Sequence, residues 1–296
     1  MAEAEVLKRQ AEKRTHAVSI LLVERQGQHV GVFFDQHPDI FDSYNAVLAA
    51  TEYSLVTTKA ARNVIKRRAK FLSLPLSTNN GQSMLTFDFL KMDVKKSKLT
   101  AEVIMKYLKS SSRIQIKTDA GTDLTLMKRG RMPGFFNGVT ADGGGFSSAS
   151  IEVYIPVEEC GTNGTMVIDG SLGYIGAARE DTRVVFKEGR IVEIEETPTG
   201  KRLKEYMEGY HDSGIYVAGE LGIGLNSYSQ CAGRCYIEDE SAYGTFHIGL
   251  GRNIALGGTH EANGHFDLVA REPNLFADNR QLIQQGRIII PEPVFF

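Results

Sequence analysis

"RIQIKTDAGTDLTLMKRG", residues 113–130, decides how this chain is read. Two short alternating runs flank a turn rich in Asp and Gly, the signature of strands joined as a hairpin. The same signature recurs to the C-terminus in "SIEVYIPVEE", "GTMVIDGSL", "TRVVFKEGRIVEIEE", "IYVAGELGIGLN", "GTFHIGLG", "HFDLVA" and "NRQLIQQGRIIIP". The related pieces "FKEGRIVEI" and "IQQGRIIIP" read as hairpins with glycine in the left-handed region of the turn. One helix, "TGKRLKEYMEGY" (199–210), interrupts them. Residues 112–296 are therefore expected to form a β-rich (α+β) domain.

Upstream the pattern is different. Residues 1–15 form a charged helical leader without the apolar core of a signal peptide. Residues 16–111 read as an α/β domain. Its strands are "HAVSILLVE" (16–24), "VGVFF" (30–34) and "KFLSLPL" (70–76), and its helices are "KAARNVIKRRA", "SMLTFDFLKM" and "SKLTAEVIMKYLKSS" (97–111).

Bulk properties narrow the function. A formal net charge of −2 provides no basic excess for a nucleic-acid or anionic-membrane partner, and "NVIKRRAKF" (63–71) reads as a solvated helix face. No run reaches the roughly eighteen apolar residues of a membrane span. Three cysteines, Cys160, Cys231 and Cys235, are too few and odd in number for a disulfide framework, so a cytoplasmic location is expected.

The chemistry concentrates downstream. "GGTHEANGHFDLVAREP" (257–273) puts His265 and Asp267 two residues apart, on one face of a strand and about 7 Å apart along it. Glu158 and Glu159 in "IPVEECG", Glu220 in "AGELGIGLN" and His247 in "GTFHIGLG" lie in or beside other β segments, flanked by glycines that permit close backbone approach. Each has an ordinary alternative: a core histidine for His247, a turn cap for Glu220, a plain hydrogen-bonded couple for His265 and Asp267. Together, imidazoles and carboxylates suit a divalent transition metal, Zn, Co, Mn or Fe, better than Ca or Mg. "HEANGH" is not the zincin motif, since its histidines are five apart, and no Walker or G-x-S-x-G sequence occurs. "CAGRC" lacks a second ligand pair, and "GELGIGLN" lacks the third glycine of a dinucleotide fingerprint.

At "GELGIGLN", "GTFHIGLG" and "GHFDLVAREPNLFADNRQLIQQGRI" the chain resembles the aminopeptidase T family of metallopeptidases, and equally the related 2,5-dihydroxypyridine dioxygenases. "SLVTTKAARNVIKRRAKFLSLPLST", "TDAGTDLTLMKRGR" and "IPVEECGTNGTMVIDGSL" are similar to that superfamily as well. The resemblance implies an α/β domain joined to a β-rich metal-binding domain, a homodimer, and metal ligands at Glu159, Glu220, His247, His265 and Asp267. On the peptidase pattern another glutamate belongs where Ala242 stands and a tyrosine where Ile254 stands; Glu238, Asp239, Glu240 and Tyr243 lie close enough to substitute. On the dioxygenase pattern the iron ligands are two histidines and an aspartate, and Glu220 stands where the first histidine belongs.

The expectation drawn first is an amide-cleaving metal hydrolase acting on a small peptide-like substrate, with Glu158 as general base and Arg129 or Arg131 holding a substrate carboxylate. The alternative is a mononuclear iron enzyme that oxidises or opens a small ring. The third is a binding protein on the same fold without catalysis.

Overall fold

A computed structural model of the chain describes residues 2–24, 31–141 and 146–290. Its strands build three sheets. The first is parallel, in the order β1-β2-β6, from β1 (Ala46–Thr51), β2 (Lys70–Pro75) and β6 (Phe146–Ser148), so it draws a strand from beyond residue 112. The second contains β3 (Arg113–Lys117), β4 (Asp123–Met127), β8 (Asn163–Ile168), β10 (Thr182–Lys187), β11 (Arg190–Ile194), β15 (Asn274–Ala277), β16 (Arg280–Gln284) and β17 (Arg287–Ile288). Its order is β11-β10-β8-β4-β3-β15-β16-β17, every pair antiparallel. The third contains β5 (Gly134–Phe136), β7 (Glu152–Pro156), β9 (Ser171–Leu172), β12 (Ala218–Gly224), β13 (Thr245–Gly251) and β14 (His265–Arg271), in the order β5-β7-β12-β13-β14-β9.

The opening hairpin forms as the sequence predicts, with Ile114, Ile116, Leu124 and Leu126 fully buried on one face. The two "G-R-I" hairpins close through central residues that both have positive φ, Glu188 and Gly189 in one, Gln285 and Gly286 in the other. That is the backbone twist that joins antiparallel strands most directly.

Six helices complete the described chain: α1 (Ala2–Ala11), α2 (Gly31–Gln36), α3 (Lys59–Lys66), α4 (Val94–Ser110), α5 (Pro198–Glu208) and α6 (Tyr236–Ser241). Thr58 caps α3 by accepting from the Ala61 N–H, and Asp93 caps α4 by accepting from the Lys95 and Lys96 N–H groups. None is long and apolar enough to cross a membrane.

Three sequence expectations fail here. Residues 16–24 carry no strand; Leu21 and Leu22 are 49% and 68% exposed, and Val23 packs half-buried on a neighbouring apolar cluster, so the run is only partly covered. The described part of "VGVFF" lies in α2, because Phe34 packs on Phe41 and Asp35 accepts from the Lys59 N–H at 2.8 Å, and this tertiary setting overrides an aromatic run's strand preference. "SMLTFDFLKM" is two 3₁₀ turns separated by an extended Phe87, which lets both Met84 and Phe89 reach the interior.

The main core lies between the second and third sheets. Leu221, Ile223, Phe246, Ile248, Leu250, Phe266 and Leu268, all on one face of the third sheet, join the apolar face of β3, β4, β8 and β10, with Ile104 and Leu108 of α4 and Leu203 and Met207 of α5. Each such side chain stabilises the fold by about 1.5–3 kcal/mol. The sheet is thereby anchored through one face, and its other face is free to carry polar groups. Over that side sits a smaller core of Phe34, Leu55, Val64 and Phe71, which also takes in Phe136, Phe146 and Leu256.

Candidate metal centre

Cross-strand register brings the polar residues together. Glu220 on β12 stands opposite Gly249 on β13, which stands opposite Asp267 on β14. In the same sheet His247 faces Gly222, His265 faces Gly251, and Glu152 on β7 faces Gly224. Directly opposed residues share a face, so all of these side chains leave the sheet on the side away from the main core. One strand lies between Glu220 and Asp267, two interstrand spacings or roughly 10 Å, and the gap is bridged because the residue between them has no side chain. A Cβ on Gly249 would lie 2.7 Å from His265 Cε1 and 2.9 Å from both Asp267 Oδ1 and Glu220 Cβ. Gly222 makes the matching space for His247, whose Nε2 would be 1.8 Å from a Cβ there.

Glu220, His265 and Asp267 each offer one ligand atom, all within 4.8 Å of one another. Glu152, Glu220 and His247 meet the same condition, sharing Glu220. His265 Nδ1 is 2.8 Å from the Arg252 carbonyl, so it carries a proton and donates. The other nitrogen, Nε2, points at Glu220 Oε2 (3.0 Å) and Asp267 Oδ1 (3.5 Å). Tyr236 donates its hydroxyl to Asp267 Oδ2, which leaves Oδ1 as the oxygen without a hydrogen-bond partner. Across the basin His247 Nε2 is 2.9 Å from Glu152 Oε2, yet that oxygen and His247 Nδ1 also lack hydrogen-bond partners.

Buried acceptors facing one another repel unless a proton or a cation lies between them. Burial raises the Glu220 carboxyl, and burial with Glu152 and Asp267 nearby raises Glu240 well above its ordinary value. Burial opposes charge on His247, but Glu152 and Asp267 overcome it and raise the imidazole to about 9. Burial would also raise Asp267, yet His247 and His265 hold it well below the usual carboxylate range. The orphaned oxygens, His265 Nε2 turned toward Glu220 and Asp267, and the carboxylate-rich donor set fit a divalent transition ion. They line a cleft that opens to solvent, walled also by Tyr53, Phe136, Tyr174, Tyr210 and Tyr236.

The other predicted residues sit elsewhere. β7 ends at Pro156, opposite Glu220, so by Glu158 and Glu159 the chain has left the ligand-bearing face. Glu158 lies 3.8 Å from the largely exposed Arg129. Glu159 binds the Arg131 guanidinium at 2.7 Å, the Asn253 amide at 3.0 Å and the Thr259 N–H at 2.8 Å, and Arg131 also donates to the Gly257 carbonyl. Glu159 and Arg131 thus tie down the segment that leads into His265 instead of reaching the cluster. Of the proposed substitutes, Glu240 lines the cleft, Glu238 pairs with Arg234, Asp239 accepts from the Gly233 N–H, and Tyr243 hydrogen-bonds the Ile288 N–H.

Burial alone would raise Glu159, but the Thr259 N–H, the Asn253 amide and Arg131 hold it at about 2. A folded value below the ordinary 4.5 means that this stabilisation is complete above about pH 4.5 and is lost as the pH falls toward 2. Glu159→Gln is therefore expected to melt below the parent at pH 7, with the difference shrinking between pH 4.5 and 2. Thermal melts across that range check it, and a constant difference would refute the assignment.

The model of the NicX family, 2,5-dihydroxypyridine 5,6-dioxygenase, matches residues 83–290. The chain belongs to that family. A curated 2,5-dihydroxypyridine 5,6-dioxygenase from Pseudomonas putida is 24% identical over 214 residues, 68% of this chain and 60% of the relative's own length. The chain thus spans about three fifths of the curated dioxygenase it matches. The solved structure of 2,5-dihydroxypyridine dioxygenase from Pseudomonas putida KT2440 superposes with a TM-score of 0.72 at 16% identity, covering 93% of this chain and 82% of that one, and so shares its fold. Wild-type AmpT from Thermus thermophilus gives a TM-score of 0.49 at 18% identity over 66% of this chain and 55% of its own.

Membership of the dioxygenase family overturns the first sequence expectation, an amide hydrolase acting on a peptide-like substrate. Glu152 and Tyr236 are among the cleft residues that sequence reading missed. The signal for Glu152 was present in "IEVYIP", where Glu152, Tyr154 and Pro156 alternate with Ile151, Val153 and Ile155. For Tyr236 there was none, since α6 is a six-residue helix without a side-chain cap.

Proposed function

We propose that this protein is a non-haem iron dioxygenase acting on a small hydroxylated aromatic or heteroaromatic ring, with Glu220, His265 and Asp267 holding the ion. The observation that carries the reading is the single row of Glu220, Gly249 and Asp267, with His265 Nε2 turned into it, in a chain of the dioxygenase family. A ferrous ion there would supply the one-electron chemistry that lets molecular oxygen react with a closed-shell ring. Glu220 makes the set richer in carboxylate than a facial triad of two histidines and one carboxylate.

The chain's own residues supply the rest. Tyr236 fixes the Asp267 carboxylate through Oδ2, and the Arg252 carbonyl fixes the His265 ring through Nδ1. Both arrangements orient ligands before any ion binds. Glu152, held beside the His247 imidazole, is the acceptor of that pair placed to take a ring hydroxyl proton. Tyr174 and Tyr236 stack at 4.2 Å between ring centroids and give a flat wall for an aromatic ring, while the smaller core above limits water. The homodimer implied by the resemblance belongs to the same proposal, and light scattering reads it directly.

The test is oxygen uptake by chain reconstituted anaerobically with ferrous iron, on addition of 2,5-dihydroxypyridine and of other hydroxylated rings. Ring-dependent uptake, with loss of the ring's ultraviolet band, is expected. No uptake with any such ring, at about one bound iron per chain, overturns the reading.

A further inference from the structure

The cleft is polarised in charge. Glu152, Glu220, Glu240 and Asp267 crowd the metal end, and Arg252 is the one lysine or arginine among the described lining residues. Arg252 follows β13 directly, and its carbonyl holds His265, so its backbone is set at the border of the ligand group. Its side chain is 11% exposed and held by three groups: Nη1 lies 2.5 Å from Asp35 Oδ2, Nε donates to the Ala262 carbonyl at 2.9 Å, and Glu261 Oε2 lies 3.6 Å from Nε. Nη2 has no partner among the described residues, so both of its protons are uncommitted.

A smaller hollow adjoins Arg252, lined also by Lys59, Arg62 and Glu261. Arg62 Nε is buried without a hydrogen-bond partner. Lys59, Arg62 and Arg252 are three cations against two acids, Asp35 and Glu261, a surplus of one positive charge at this end. Partly buried guanidinium donors left unused are costly, and a carboxylate satisfies two of them at once.

Resting on the ring-oxidation reading above, we infer that the substrate ring carries a carboxylate on the side away from its metal-facing hydroxyl, and that Arg252 is the residue that selects it. The tyrosine wall takes the ring, the metal end takes the hydroxyl, and Arg252, with Arg62 behind it, takes the carboxylate. The preference arises from charge and fork geometry at one residue.

The experiment uses chain reconstituted with zinc, which has no oxygen chemistry, and measures by calorimetry the affinity for catechol and for 3,4-dihydroxybenzoate. The dihydroxybenzoate is expected to bind about tenfold tighter or more, the effect of one charge-assisted bidentate pair. In Arg252→Gln the ratio of the two affinities should fall to about one. A purely structural loosening would weaken both compounds together and leave the ratio intact, which overturns the inference. Arg62→Gln, outside the metal cleft, is the second variant, with the ratio expected to fall several-fold. Equal affinities in the unaltered chain overturn the carboxylate while leaving the ring reading in place; binding of neither compound overturns both.

Discussion

Gly249→Ala is expected to weaken metal binding by this chain sharply while leaving its fold in place. The new Cβ would stand 2.7 Å from His265 Cε1 and 2.9 Å from Asp267 Oδ1 and Glu220 Cβ, in the gap where three ligand side chains converge. None of them has room to retreat. His265 is held by the Arg252 carbonyl, Asp267 by Tyr236, and the Glu220 backbone by pairing on both sides of β12. The strand itself loses nothing, since alanine is no worse than glycine in a strand whose φ is ordinary. Metal affinity should fall by about a hundredfold, the upper range for disturbing the support of a metal site, with the thermal midpoint moving by only a few degrees. Equilibrium dialysis with elemental analysis, alongside a thermal melt, makes the comparison. Unchanged affinity would mean that the ligands do not meet above Gly249.

His265→Ala has the second large effect. It removes the Nε2 donor and leaves the Arg252 carbonyl without the proton it accepts, so Glu220 and Asp267 face each other across the basin with no imidazole between them. Retained metal should drop below about a tenth of an equivalent, and the fold should lose about 1–3 kcal/mol from the unsatisfied carbonyl. Asp267→Ala should lose metal equally, because Oδ1 is an unpartnered oxygen that faces His265 Nε2. Elemental analysis of each purified variant reads the result, and normal metal content in both would refute the ligand set. In the unaltered chain the same analysis should find about one equivalent of iron.

Much of the β architecture was legible because strand signals are local. Alternation with period two marks β3, β4, β10, β11 and β14, and the "G-R" turns carry their own backbone chemistry. Capped, one-sided helices such as α3 and α4 were legible for the same reason. Residues 16–24 were misread because an apolar run specifies burial only if something covers it, and α2 because contacts to Phe41 and Lys59 override an aromatic run's strand preference. Nor does any local signal show that β6 pairs with β2 across some seventy residues of chain.

Within the site, His265 and Asp267 could be paired from sequence because one strand carries both, and Glu220 and His247 stood out as ionisable groups among glycines. The sequence by itself determined which donors this protein owns and that a β-rich region carries them. Only the tertiary structure decided which donors meet: register puts Gly249 between Glu220 and Asp267, brings in Glu152 and Tyr236, and leaves Glu158 and Glu159 outside. The physical reason is that a strand's alternation assigns a side chain to a face, whereas hydrogen-bonded pairing between distant strands assigns its neighbours, and a metal site is made of neighbours.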